Sequence, residues 1–173
     1  MPSPNHEDVY SLMGFTLSYI QSVERNMKFV TTYVLQDGDS LTLEKLESIN
    51  KKERKKALGY FIGKIRDRAS LFPNFEELLS EFLNKRNDFV HNQDKIPGWD
   101  LSTPEGVVVA RTFVISLLHQ AHIINEIFAA LLCKWQEQTG IYPPQSGESN
   151  EYINSIEERY GVYVDILFTE KET

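Results

Sequence analysis

The sequence has a single cysteine, Cys133, and so it can form no disulfide bond within one chain. This scarcity favours a reducing compartment, where disulfides are rare. The first residues lack the basic and apolar stretches of a signal peptide. No uninterrupted apolar run reaches the roughly 20 residues that cross a bilayer, because His119, Gln120 and His122 interrupt the most apolar segment. We therefore expect a soluble cytoplasmic protein with no membrane segment.

Several chemistry-bearing patterns are also missing. The sequence has no glycine-rich phosphate loop, no zinc-finger spacing and no Ser-His-Asp order that would indicate a nucleophilic hydrolase. Cys133 lies among apolar residues and is expected to be a small core residue rather than a nucleophile. These absences argue against a P-loop nucleotidase, a zinc finger and a serine hydrolase, and we expect no cofactor.

Charge is abundant but unevenly distributed. The net charge is −7, yet residues 51–68 hold eight basic and two acidic residues, whereas residues 136–173 hold eight acidic and two basic ones. A globally acidic protein is a poor non-specific binder of nucleic acid, but a local basic face can still hold a phosphate backbone. The alternative is an ordinary solvated helix face. The candidate RNA-binding residues of this basic run are Lys51, Lys52, Arg54, Lys55 and Lys56.

Two long segments carry the apolar spacing of helices that pack along a seam. In residues 7–35 and again in residues 103–139, apolar side chains alternate at intervals of four and three. At 1.5 Å per residue these helices would be roughly 45 Å and 50 Å long. Shorter helices are expected between them, within residues 41–68 and over residues 74–92. The pattern predicts an all-α antiparallel helical bundle.

A cluster of turn-forming residues divides the chain near its acidic end. Gly140 and the pair Pro143-Pro144 should stop the second long helix. We therefore expect a helical bundle over residues 1–142 and an acidic extension over residues 143–173. Within the extension, residues 150–159 predict a short helix ended by Gly161, and Val162–Phe168 favours a strand.

Chemical groups concentrate near the end of the helix expected over residues 74–92. Arg86, Asn87 and His91 supply a permanent cation, an amide and an imidazole that titrates near neutrality. Asn87 and His91 share a helix face, whereas Arg86 and His91 lie roughly 140° apart on an ideal helix. The latter two converge only if the helix loosens, if the arginine reaches around, or if a second copy of the chain supplies a motif. The non-functional alternative is a surface arginine, a solvent-facing asparagine and a histidine that helps to cap the helix.

These residue types suit phosphodiester cleavage in RNA. His91 could move the proton of the 2′-hydroxyl or of the leaving 5′-oxygen. Arg86 could hold the non-bridging oxygens, on which charge develops in the transition state. Asn87 could orient His91 or the substrate. No metal is required, because the nucleophile is the 2′-hydroxyl of the RNA itself.

The segment Leu83–Asn92 (LNKRNDFVHN) resembles the HEPN superfamily, whose motif is an arginine, a polar residue, three or more variable residues and a histidine. A looser likeness extends over residues 7–139. The resemblance implies a helical bundle that forms homodimers, with two motifs meeting at a cleft. It implies, for many members, a metal-independent endoribonuclease of a toxin–antitoxin or antiviral-defence system, and so a protein antitoxin as a candidate partner. Other members are catalytically silent modules that dimerise or bind partners, which is the alternative for this chain.

One position departs from part of that family. Members paired with nucleotidyltransferase antitoxins often carry a tyrosine two residues after the histidine, where this chain has Gln93. Control by nucleotidylation of that tyrosine is therefore not expected here.

A second group of polar residues lies on the last long helix. His119, His122 and Glu126 fall within about 60° of one another on an ideal helix. Imidazole and carboxylate groups at this spacing are weak candidates for zinc or another divalent ion. The alternatives are a polar stripe at a bundle or dimer interface, or a part of the same cleft as His91.

Overall fold

The structure is a computed structural model that describes residues 6–34, 48–49, 51–53, 55–139, 151, 154–156, 158–161, 164 and 168–170. Its helices and strands, in chain order, are α1 (His6–Tyr33), α2 (Leu58–Arg68), β1 (Ala69–Leu71), α3 (Pro73–His91), a short 3-10 helix (Gln93–Lys95), α4 (Pro104–Thr139) and β2 (Phe168–Glu170). Residues 48–49 and 51–53 are helical as well. The predicted all-α bundle with two long helices is confirmed, with α1 of 28 residues and α4 of 36.

Capping interactions of neighbouring residues fix the start of α4. Thr103 precedes the helix, and its hydroxyl accepts a hydrogen bond of 3.1 Å from the backbone N–H of Gly106. Pro104 occupies the first helical position, where its missing N–H costs nothing. A Cβ at Gly106 would lie 1.9 Å from the backbone oxygen of Asp100, so only glycine lets the preceding loop pass this closely.

The start of α3 differs from the expected one. The helix expected from residue 74 begins one residue earlier, at Pro73, and the residue before it, Phe72, makes no side-chain capping bond. A proline at the first helical position is preorganised for the helix and needs no N–H partner, which explains the earlier start. The helix then continues without interruption to His91.

The core lies where α1, α3 and α4 meet. Its largest fully buried side chains include Phe82 of α3 and Phe128 of α4. Truncation of one such side chain to alanine costs about 3–5 kcal/mol, because the lost burial is compounded by a cavity. The fully buried apolar side chains on the α1 and α4 seams are Val9, Ile20, Val23, Met27, Val30, Val114, Leu117, Ala121, Ile124 and Phe128.

Helix directions follow from which residues meet. Lys85 of α3 bonds Ser116 of α4 and Gln120 of α4 bonds Glu81 of α3, so these two helices are antiparallel, as expected. The two long helices, however, run in the same direction. Val9, near the start of α1, packs in one cluster with the start of α4. Asn26, in the second half of α1, bonds Asn125, in the second half of α4. The physical reason is that α3 returns the chain between them, which leaves α1 and α4 pointing the same way.

The acidic extension packs onto the bundle. Ile156 and Val164 are 1% and 2% exposed and belong to the same core cluster as α1, α3 and α4. Residues 151, 154–156, 158–161 and 164 are helical, in accord with the expected short helix, although Gly161 is itself helical and does not stop it. Of the strand expected over Val162–Phe168, Val164 is helical and Phe168 begins β2, whereas residues 162, 163 and 165–167 lie outside the described residues. Strand β2, Phe168–Glu170, pairs antiparallel with β1.

The helical conformation at Val164, where a strand was expected, is explained by packing in the core. Val164 is helical and buried, so its apolar side chain serves the core rather than a sheet. The pairing partner, Ala69–Leu71, is only three residues long and gives no strand signal of its own.

Helix α4 is apolar over most of its length. Its stretch Pro104–Glu137 is long and apolar enough to cross a membrane by length and composition alone. The core helix of a soluble protein meets the same test. In this bundle, Val114, Leu117 and Ile124 of that stretch are fully buried.

Candidate functional site

The three motif residues lie together at the end of α3. One guanidinium nitrogen of Arg86, Nη1, is 3.1 Å from the Asn87 amide oxygen and 3.4 Å from His91 Nε2. The helix is regular through His91, so it does not loosen to bring them together. Of the three routes considered from the sequence, the long arginine side chain reaching around the helix is the one that the structure adopts.

A fourth residue, Glu24 of α1, completes this group. Arg86 Nε donates a 2.6 Å hydrogen bond to Glu24 Oε1, and the two side chains are 20% and 13% exposed. A charge-assisted bond between partly buried groups fixes the guanidinium strongly. Glu24 thereby aims the remaining guanidinium nitrogens toward Asn87 and His91. We refer to Glu24, Arg86, Asn87 and His91 as the motif cluster.

Glu24 could hardly be predicted from the sequence. It lies 62 residues from Arg86, so no local spacing connects them. The available signal is its place beside Val23 in the apolar seam of α1, where a carboxylate must be partly buried and therefore needs a cation.

The contact between Arg86 and His91 constrains the imidazole. A guanidinium can only donate hydrogen bonds, so His91 Nε2 must accept and carry a lone pair. The ring proton of a neutral His91 is then on Nδ1. His91 is exposed to solvent, so this basic nitrogen lies beside a fixed cation at the protein surface. A basic nitrogen in this position can accept a proton from an incoming hydroxyl group.

The basic run is exposed, but much of the neighbouring positive charge is already paired. Lys51, Lys52, Lys55 and Lys56 are exposed, while Arg54 lies outside the described residues. On α2, by contrast, the cations are held by the fold. Lys64 pairs with Glu53, Arg66 contacts Ser80 and Glu76, and Arg68 donates to the backbone oxygen of Thr31.

Glu53 shows how firmly that region is organised. Its partial burial by itself raises the pKa of the carboxyl, but hydrogen bonds from Lys64 and Tyr60, with the charges of Lys64 and Arg68, lower it below 4.5 overall. Arg68 also ties this region to the last turn of α1 at Thr31, two turns beyond Glu24. The exposed lysines therefore lie near the C-terminal end of α1, about two turns beyond Glu24 of the motif cluster.

The second histidine group is built differently. Glu126 is 3% exposed, and its Oε1 lies 2.9 Å from Arg159 Nη1 and 3.5 Å from His122 Nε2. His122 Nδ1 is also 3.2 Å from the Tyr19 hydroxyl. His119 is exposed. Among the described residues, no three histidine, cysteine, aspartate or glutamate side chains are grouped to hold a metal ion. The Glu126 carboxylate therefore pairs with Arg159 of the extension. We call Glu126, His122, Arg159 and Tyr160 the Glu126 cluster.

Tyr160 belongs to that cluster through its hydroxyl. Burial raises the pKa of the Tyr160 phenol above 10.0, and its hydrogen bond to Glu126 and the negative charge there raise it further, although Arg159 acts in the opposite sense. In addition to the buried Ile156 and Val164, the extension therefore contacts α4 through Arg159 and Tyr160, which both bond the buried Glu126.

No family model, curated protein or solved structure matches this chain. The function must therefore be argued from the chemistry of the motif cluster.

Proposed function

We propose that this chain is a metal-independent endoribonuclease of HEPN type, with Arg86, Asn87 and His91 as its catalytic site. The observation that supports this proposal is the convergence of the three side chains on one guanidinium nitrogen, at 3.1 Å and 3.4 Å. An accepting imidazole nitrogen beside a permanent cation is the pairing that RNA cleavage requires.

In the proposed reaction a phosphate oxygen replaces His91 Nε2 as the partner of Arg86 Nη1, and the freed lone pair of His91 Nε2 takes the proton of a 2′-hydroxyl. The 2′-oxygen then forms a bond to the adjacent phosphorus, and the bond from phosphorus to the 5′-oxygen breaks. The products are a 2′,3′-cyclic phosphate and a 5′-hydroxyl, which receives a proton. Arg86 stabilises the negative charge that develops on the non-bridging oxygens. Asn87 holds the guanidinium from the other side.

The proposed assembly is a homodimer in which two motif clusters face one cleft. A second copy would bring a second histidine to the leaving-group side of the phosphate. In its protonated form, that histidine would give its proton to the 5′-oxygen. The proposed setting is a cytoplasmic toxin or antiviral-defence effector, with a protein antitoxin as its regulator.

A second candidate function is a catalytically silent binding module that dimerises or holds a partner. The observation in its favour is a set of exposed apolar side chains on the two long helices. Phe15 of α1 is 59% exposed, and Val108 and Ile115 of α4 are 48% and 40% exposed. Exposed apolar side chains of this size are common at protein–protein contacts.

The test compares purified wild type with His91→Ala on mixed cellular RNA in the presence of EDTA. His119→Ala is the matched control, because it removes an exposed histidine outside the motif cluster. EDTA-resistant cleavage by wild type and His119→Ala, but not by His91→Ala, supports the ribonuclease. Cleavage that persists equally in all three excludes this site. No cleavage by any folded protein, with a stable dimer, favours the binding module.

A further inference from the structure

A cleft lies beside the motif cluster, on the neighbouring face of α3. It encloses about 520 Å³, which is within the usual range for sites that hold small molecules. The end of α3, the short 3-10 helix and the first half of α4 form its walls. The lining residues that bear on its chemistry include Lys85, Asp88, Lys95, Val109, Thr112 and Phe113.

The lining combines an apolar floor with a few charged groups. Val109, Phe113 and Pro97 present carbon surface, and Phe113 is held edge-on by Trp99 at 5.8 Å between ring centroids. Two cations, Lys85 and Lys95, come from different elements. A flat apolar group with an attached anion is complementary to such a site, because the floor accepts the ring and the ammonium groups accept the charge.

Both lysines are held in place within the described structure. Lys85 Nζ donates to Ser116 Oγ at 3.0 Å, across the cleft from α3 to α4. Lys95 Nζ donates to Asn92 Oδ1, also at 3.0 Å. Each ammonium group has three protons, so each retains donors for an anion after making its one bond within the protein.

The cleft is close to the proposed catalytic histidine. Asp88, which lines the cleft, and His91 are three residues apart on one helix, and residues at this spacing are neighbours on the helix surface. A polymer whose phosphate is bound at Arg86 and His91 would therefore place its next unit at this opening.

We propose that the cleft binds one nucleotide of the RNA substrate, adjacent to the phosphate that is cleaved. This proposal rests on the ribonuclease function for its place in the reaction, although nucleotide binding can be measured without it. The base lies on Val109 and Phe113, and the phosphate contacts Lys85 and Lys95. Val108, which is 48% exposed at the cleft, becomes covered when the base enters.

Asp88 gives the site a base preference. An ionised carboxylate can only accept hydrogen bonds, and it pairs well with the exocyclic amino group of cytosine. Uracil has a carbonyl oxygen at that position, which faces the carboxylate unfavourably. We therefore expect CMP to bind more tightly than UMP, by about threefold or more, and expect Asp88→Asn to reduce this difference.

The experiment measures binding of AMP, CMP, GMP and UMP to the full chain by calorimetry. Mononucleotides contain no scissile internucleotide bond, so the result does not depend on catalysis. Thr112→Trp fills the cleft from an exposed position and should weaken CMP binding by at least about tenfold. Lys95→Ala should weaken it by about threefold, whereas Arg25→Ala, an exposed cation of α1 outside the cleft lining, should leave it unchanged.

The outcomes separate this proposal from the ribonuclease proposal. Saturable CMP binding that Thr112→Trp and Lys95→Ala weaken supports the cleft, even if RNA is never cleaved, in which case the ribonuclease proposal alone fails. Absence of saturable binding by all four nucleotides overturns it. Binding that Thr112→Trp and Lys95→Ala leave intact, or a Thr112→Trp effect on the oligomeric state alone, overturns it as well.

Discussion

Among the described residues, histidine, arginine and glutamate meet in two clusters, which differ in how completely the charges are paired within the fold. In the Glu126 cluster the carboxylate is 3% exposed and is contacted by Arg159 and His122. In the motif cluster the carboxylate Glu24 occupies one side of Arg86, and the other side faces Asn87 and the exposed His91.

The difference separates a structural contact from a candidate catalytic one. The buried Glu126 carboxylate finds its partners within the fold, and its contact with Arg159 attaches the extension to α4. Arg86 is held by Glu24 through Nε, and its Nη1 can exchange the contact with the exposed His91 for a phosphate oxygen, as the proposed function requires. The same residue types therefore serve stability in one place and, under the proposed function, chemistry in the other.

The largest expected effect comes from removing the open histidine. His91→Ala should lower the rate of RNA cleavage by about 10²–10⁴-fold, because the proton acceptor is lost. Its effect on the free energy of unfolding should stay within about 0.5 kcal/mol, since His91 is exposed. Cleavage assays and urea unfolding measure the two quantities. A loss of stability that matches the loss of activity would contradict the assigned role.

The next effect concerns the residue that aims Arg86. Glu24→Gln removes the negative charge but keeps an oxygen acceptor, so the guanidinium is held less firmly. We expect kcat to fall by about tenfold to a hundredfold, with a smaller change in KM, because misplacement affects the transition state most. Glu7→Gln, an exposed change on the same helix, is the control. An unchanged kcat in Glu24→Gln would remove Glu24 from the site.

The Glu126 cluster should respond in stability rather than activity. Arg159→Ala leaves the buried Glu126 with fewer partners and should lower the free energy of unfolding by about 1–3 kcal/mol. Cleavage per folded molecule should not change. Arg159→Lys keeps the charge and should lose less stability. If Arg159→Ala instead abolished cleavage and left stability intact, the contrast between the two clusters would be reversed.

The smallest effect is a pH dependence at Glu53, which is neither in the site nor in the Glu126 cluster. The pKa of Glu53 is lowered in the folded protein, so its contribution to stability is present above its ordinary value of 4.5 and is lost as the pH falls through the lower folded value. Glu53→Gln should therefore lose less stability than wild type between about pH 5 and pH 3. Urea midpoints at several pH values test this, and parallel curves for both proteins would contradict it.

Local patterns predicted much of the bundle. The spacing of four and three identified α1 and α4, and the expected start of α4 at residue 103 lies one residue before the observed start at Pro104, because periodicity acts within one or two turns. The motif residues Arg86, Asn87 and His91 could be named from their chemistry. Their convergence could not, because an ideal helix separates Arg86 from His91 and only the observed arginine conformation joins them.

By itself, the sequence determined the helices, the core faces and the identity of the three motif residues, since these depend on neighbours a few positions apart. The tertiary structure alone decided that Glu24 holds Arg86, that α1 and α4 run in the same direction, and that a cleft lies between α3 and α4. It also turned Glu126 toward Arg159 and placed the strand of the extension against β1. Each of these depends on the meeting of residues far apart in the chain, which no local spacing specifies.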